Sequence, residues 1–186
     1  MNNVLLGHPK KLLLLILTAL VILYAAAAHT APLRTVTATV TKISDGDTVQ
    51  AITPEGTKLK VRLYGIDAPE TPKGKIPGEP FGNDSRNYLA SLISQQTVRV
   101  EIRDIDRYRR MVAILWLAER NVNQEMIAAG MAEAYREYLK SPYRSPFLQA
   151  EQDAKTQEKG IWTQGNRYER PSQFRRRMGN RVFPES

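Results

Sequence analysis

Between residues 12 and 28 the chain is apolar without period, LLLLILTALVILYAAAA, and Lys10 and Lys11 stand immediately before it. A basic flank, an apolar run and an ending in small residues together predict an export signal, cut near Ala28. At 17 residues the run also reaches the lower limit for crossing a bilayer, so an uncleaved membrane anchor is the competing reading. A core helix is disfavoured because no polar face exists. The expected location is periplasmic or secreted, or membrane-attached through residues 12–28.

After Arg34 the pattern changes. TVTATVTKIS is rich in β-branched residues and predicts a strand, broken by Asp45-Gly46-Asp47. TVQAI and TKLKVRLYGI flank Thr53-Pro54-Glu55-Gly56, so residues 48–52 and 57–66 are expected to pair as an antiparallel hairpin. Residues 68–80 hold four prolines and two glycines and read as a surface loop. Tyr88, Leu89, Leu92 and Ile93 form the apolar stripe of a helix that Asn83 or Asp84 can cap. Residues 97–105 and 111–117 alternate like strands about the charged turn DRYRR. A second helix is expected over 123–129, stopped by Gly130, and a third from Ser145-Pro146 to Gly160.

Three strands, a helix, two strands and further helices predict an α+β fold that is mainly β: a five-stranded OB-type Greek-key barrel with three helices. The expected organisation is an export segment over 1–28, a barrel domain over 34–163 and a basic, mostly disordered tail over 164–186. Six arginines and two glutamates give that tail four net positive charges.

The whole chain carries +8, and loss of residues 1–28 leaves +6, a balance that favours polyanionic partners or only solubility. Missing residue types narrow the chemistry further. There is no cysteine, hence no thiol nucleophile, no Cys-ligated zinc and no disulfide. The two histidines, His8 and His29, lie in or beside the export segment, so Ser/His/Asp triads lack a base. Hydrolytic chemistry in this chain must rest on carboxylates and cations, with or without a metal.

If residues 54–56 form the hairpin tip, paired positions sum to about 110. Asp47 then falls near Leu63 or Tyr64, and Asp67 near Ile43 or Ser44. Asp45, Asp47 and Asp67 gather at one open end, Glu70 follows after a proline, and the oxygen donors suit a hard cation. The same acids also read as ordinary turn residues. Arg62, inside an otherwise apolar strand, requires a partner that a structural ion pair would equally provide. Arg110 in its charged turn is by itself compatible with a solvated side chain.

SDGDT at 44–48, VRLYGIDAPE at 61–70 and DRYRR at 106–110, in this order, resemble the motifs of the staphylococcal nuclease (thermonuclease) family. The resemblance runs from about Val36 to Trp162 and includes AAGMAEAY and the closing KGIW. It implies an endonuclease that hydrolyses DNA and RNA with low sequence specificity, prefers single strands and leaves 3′-phosphates. It implies Ca2+ as cofactor, with Asp47 and Asp67 as ligands supported by Asp45 and the backbone of Ala68. Glu70 takes the place of the family's proposed general base, Arg62 and Arg110 of its phosphate-binding arginines, and Tyr135 and Tyr138 of tyrosines near the nucleotide. Arg109 replaces a common glycine, and alanine stands at 68 where the type member has threonine. The family default is a monomer. A non-catalytic nucleic-acid-binding barrel and a membrane-anchored protein-binding scaffold are the alternatives, both at odds with the intact acids and arginines.

Overall fold

The computed structural model describes residues 13–18 and 32–179. Residues 13–18 are helical, and the rest of the export or anchor segment expected at 12–28 lies outside the described residues. Among the described residues no helix is long and apolar enough to cross a membrane. The chain divides into Met1–Ala31 and Pro32–Ser186, and every element below belongs to the second unit.

Five strands make the barrel: β1 (Arg34–Ile43), β2 (Thr48–Ile52), β3 (Lys58–Leu63) and, after a two-residue β4 (Ile66–Asp67) and helix α1 (Gly82–Ile93), β5 (Thr97–Ile105) and β6 (Met111–Leu117). Hydrogen-bonded neighbours run β3-β2-β1-β5-β6, and a parallel pairing of β3 with β6, Val61 against Met111 and Leu63 against Ala113, closes the ring. Closure removes free sheet edges and fills the interior with small and β-branched side chains. Val40, Val49, Val61, Val100, Ala113 and Leu115 all lie in that interior without solvent contact. Leu89 and Ile93 of the α1 stripe cover it and are equally buried.

The hairpin register agrees with the expected sum, with Thr48 opposite Arg62 and Ile52 opposite Lys58. The second strand, however, does not continue to residue 66. Gly65 takes φ 73°, and a Cβ there would come within 2.5 Å of Leu139 Cδ2, so the chain turns off the ladder at a position only glycine fits. Strand β4 pairs instead with β8 (Glu133–Ala134), which sets Asp67 opposite Glu133 rather than near Ile43 or Ser44.

Beyond β6, a short β7 (Arg120–Asn121) leads into α2 (Val122–Ala128), where the Asn121 side chain accepts from Gln124 N–H at 3.1 Å and caps the helix. Helix α3 (Arg144–Thr156) starts one residue before Ser145 and stops before Gly160, which opens a 3₁₀ segment (Gly160–Arg167). Neither Asn83 nor Asp84 caps α1: Phe81 holds the N-cap position at φ 67°, and Asp84 sits in the first turn, where its charge opposes the helix dipole.

The largest departure is the tail. Where disorder was expected, a fourth helix α4 (Pro171–Met178) forms, with Pro171, Phe174 and Arg175 buried. Its high positive charge argues for a solvated segment only when no acidic surface is available, and here one is. Arg170 Nε donates to Glu133 Oε1 at 2.9 Å, and Tyr168 Oη donates to Glu133 Oε2 at 2.9 Å.

Candidate active site

The turn between β1 and β2 is built by the Asp-Gly-Asp sequence itself. Ser44 N–H donates to Thr48 O at 2.9 Å, and Asp47 N–H donates to Asp45 Oδ1 at 3.2 Å. Gly46 is required between them, since a Cβ would lie 1.9 Å from Ser85 Oγ and 2.7 Å from the Ala68 Cβ. The turn is thereby pressed against α1 and the Ala68 segment, and the Asp47 carboxylate is fixed at the barrel mouth.

Asp47 is 3% exposed and fully engaged. Its Oδ1 accepts from Thr48 Oγ1 at 3.0 Å and from Arg62 Nη1 at 2.9 Å, and its Oδ2 accepts from Ala68 N–H at 3.2 Å. Arg62 spans two acids, its Nη2 donating to Asp67 Oδ1 at 2.9 Å. Asp67 has no solvent exposure. The sequence-derived group of Asp47, Arg62, Asp67 and Glu70 is thus brought together, with Ala68 contributing its amide to Asp47.

Charge at this mouth is tightly linked. Burial is the largest influence on the Asp47 carboxyl and would raise it, but the Arg62 guanidinium, the hydrogen bonds from Asp45 and the Ala68 amide, and Arg175 together outweigh it and hold the group below the usual carboxylate range. Asp45 goes the other way, pushed up to about 8 by burial and then by the neighbouring Asp47 charge. Arg62 is held above its ordinary value: burial opposes its charge, and Asp47 and Asp67 restore it.

Three participants were not legible in the sequence. Arg175 of α4 lies in the cluster, its Nη1 donating to Asp67 Oδ1 at 2.9 Å and to Glu70 Oε1 at 3.2 Å, its Nη2 to Asp67 Oδ2 at 2.8 Å. Glu79 accepts from Glu70 N–H at 2.7 Å, tying the proline-rich loop back across the mouth, and burial pushes its carboxyl up to about 8. Asp106 holds Arg110: its Oδ2 accepts from Arg110 Nε at 2.6 Å and its Oδ1 from Arg110 N–H at 2.9 Å. Phe174, apolar beside the arginine run and three residues into a Pro-started helix, was the one signal in the tail.

Arg110 does not join the carboxylates. It is 5% exposed, and its Nη2 is buried with no hydrogen-bond partner among the described residues. A buried donor left over after an ion pair is formed carries a desolvation cost that an incoming phosphate oxygen would remove. Arg109 beside it adopts φ 61°, the left-handed conformation that glycine would take at no steric cost. Tyr135 and Tyr138 stack edge to face at 4.8 Å and 68°, Tyr135 half-buried and Tyr138 47% exposed.

The donor set fits a hard divalent cation in kind: carboxylate oxygens of Asp47 and Asp67, with the acid of Asp45 behind them and no soft ligand. Among the described residues no three acids form a ready metal cage. The physical reason is on view, since the Arg62 and Arg175 guanidinium groups lie between the carboxylates.

A five-stranded closed barrel with buried carboxylates bridged by arginines at its mouth defines a class: an OB-type α+β barrel with an acid–arginine site. Comparison with known proteins takes this one step further. Residues 60–164 match the family described as staphylococcal nuclease homologue. An uncharacterized endonuclease of Haemophilus influenzae is 40% identical over 140 residues, covering 75% of this chain and 73% of that protein. The micrococcal nuclease of Shigella flexneri is 35% identical, covering 76% and 81%, and the thermonuclease of Staphylococcus hyicus 32% identical, covering 67% and 74%. The chain belongs to the staphylococcal nuclease family. It is a hydrolytic nuclease of the endonuclease type.

Proposed function

We propose that this nuclease is a calcium-dependent phosphodiesterase that cuts DNA and RNA with low sequence specificity, acts best on single strands and leaves 3′-phosphates. The observation that carries the reading is the Arg62 guanidinium gripping Asp47 and Asp67 together, both at 2.9 Å, at the mouth that also holds Glu70. Asp47 and Asp67 are the residues that would hold calcium, with Asp45 in support. When bound there, calcium neutralises charge on the phosphate and lowers the pKa of a bound water.

The remaining work falls to the chain's own groups. Arg62 and Arg110 present planar, permanently charged forks to the phosphate oxygens, and their effect is greatest on the pentacovalent dianion, where negative charge peaks. Glu70 takes the proton of the attacking water or orients it. Tyr138, exposed and braced by Tyr135, offers an aromatic face on which any base stacks, which favours unpaired strands over a particular sequence. The basic flank and apolar run at 10–28 support export or attachment at a membrane surface. A monomer is the accompanying proposal.

Degradation of single-stranded and duplex DNA is the test, run with calcium, with magnesium and with chelator beside Glu70→Ala. Calcium-dependent cutting that collapses in the variant is the expected result. Tight binding without cutting under any metal would replace the reading with a non-catalytic barrel.

A further inference from the structure

We infer that helix α4 is a plug: Arg175 stands in the carboxylate cluster as a built-in cation, and a divalent metal must displace it to reach Asp67 and free Glu70. The inference rests on the calcium reading above and adds a regulatory step to it.

Arg175 is 1% exposed although it belongs to a helix eight residues long near the end of the chain. Among the described residues it supplies the only hydrogen bond to Asp67 Oδ2, and it shares Asp67 Oδ1 with Arg62. It also occupies Glu70 Oε1 at 3.2 Å, while Lys73 Nζ holds Oε2 at 3.1 Å. Both oxygens of the group assigned to activate water are therefore paired with cations. In this arrangement Glu70 cannot accept a proton from a water without losing an ion pair, and both Asp67 oxygens face guanidinium groups where a metal would have to sit.

The contact is also built to be reversible. Among the described residues Arg175 Nε is buried without a hydrogen-bond partner, so seating the guanidinium leaves one donor unsatisfied. Beyond the Arg175 pairs and the buried Phe174 and Pro171, α4 is tied down at Arg170, whose Nη2 lies 2.8 Å from Glu133 Oε1 and whose side chain is 44% exposed and open to competition from water. Arg176 and Arg177 face solvent on the same helix. Arg177 is paired with Glu169, its Nε donating to Oε1 at 2.9 Å and its Nη2 to Oε2 at 2.6 Å, but once α4 leaves, Arg175 and Arg176 are available to hold a polyanion beside the site, so metal and nucleic acid favour the same open state.

Calorimetric titration of the full chain with CaCl2 tests this, comparing wild type, Arg175→Ala and Arg176→Ala. The last removes the same charge from the same helix without touching the cluster. Arg175→Ala is expected to bind calcium at least tenfold more tightly than both others. In wild type, saturating calcium is expected to speed amide exchange across residues 172–179 at least tenfold. If Arg175→Ala does not fold, this exchange measurement decides alone. Equal calcium affinity in all three proteins with unchanged exchange in α4 overturns the plug and leaves the calcium reading intact. No calcium binding by any of them overturns the calcium reading and the plug together.

Discussion

Arg62 Nη1 meets Asp47 Oδ1 at 2.9 Å because the β2–β3 ladder places Arg62 directly opposite Thr48, the residue after Asp47. The ion pair is a consequence of strand register, and register is set by a three-residue tip, 54–56, closed by Thr53 N–H to Thr57 O at 3.0 Å. The same arginine reaches Asp67 only because Gly65 breaks the strand and lets β4 swing across to β8. The proposed phosphate-binding role and a structural role fall to one side chain.

Replacing Arg62 by alanine should therefore cost on two scales. Turnover is expected to fall about 100-fold or more through lost stabilisation of the transition-state charge. Stability is expected to fall by about 3 kcal/mol, since two buried carboxylates lose a shared partner. Parallel measurement of kcat and of urea unfolding checks both. A variant with near-wild-type kcat removes Arg62 from the reaction, whatever its stability.

Arg110 should separate the two effects. Its Nε and amide satisfy Asp106, but among the described residues its buried Nη2 has no partner to lose. Arg110→Lys keeps the charge and loses the fork, and is expected to lower kcat about 10-fold or more while the urea midpoint stays within about 1 kcal/mol of wild type. A lysine variant with full turnover would assign Arg110 to the turn alone.

The barrel, the hairpin register and the approach of Asp47 to Arg62 were readable because each follows from local alternation, turn residues and the period of two. What lay beyond reading was set by long-range contacts. Nothing local to Gly65 says that β4 will pair with Glu133–Ala134, far along the chain. Nothing local to Arg175 says that a basic segment will fold, because its helix is stabilised by acids at positions 67, 70 and 133 that come near it only in the finished structure. Asn83 and Asp84 look like caps but lie in the first turn, because the close fit of Gly82 against the Glu70 carbonyl starts the helix earlier.

Glu79 makes stability depend on pH. Burial raises its folded-state carboxyl from 4.5 to about 8, so between these values the folded chain binds a proton that the unfolded chain has released. Its contribution is complete below about pH 4.5 and is lost as pH rises through 8, at up to about 1.4 kcal/mol per pH unit. Glu79→Gln, neutral at every pH, should flatten this part of the stability profile. Urea unfolding of both proteins from pH 5 to 8.5 checks it, and parallel profiles would show that Glu79 ionises normally.

Arg109 raises a separate question, since a residue strained into φ 61° next to Arg110 is a candidate for misplacing it. The hydrogen bonds argue otherwise. Asp106 Oδ1 accepts from both Tyr108 N–H and Arg110 N–H at 2.9 Å, Asp106 N–H donates to Arg110 O at 3.0 Å, and Arg109 N–H donates to Asp106 O at 2.9 Å. The turn is thus closed through Asp106, with the exposed Arg109 side chain outside it. Glycine at 109 would relieve about 1 kcal/mol of left-handed strain and lose part of that gain to a more flexible unfolded chain. Arg109→Gly is expected to change stability by between zero and about 1 kcal/mol in the favourable direction, with kcat unchanged. Asp106→Ala is expected to lower kcat although residue 109 is untouched, because Arg110 loses both its amide and Nε anchors. Steady-state rates and urea midpoints for the two variants separate these roles. A rate gain of 10-fold or more in Arg109→Gly would place the defect in the turn and show that arginine at 109 holds Arg110 away from its working position.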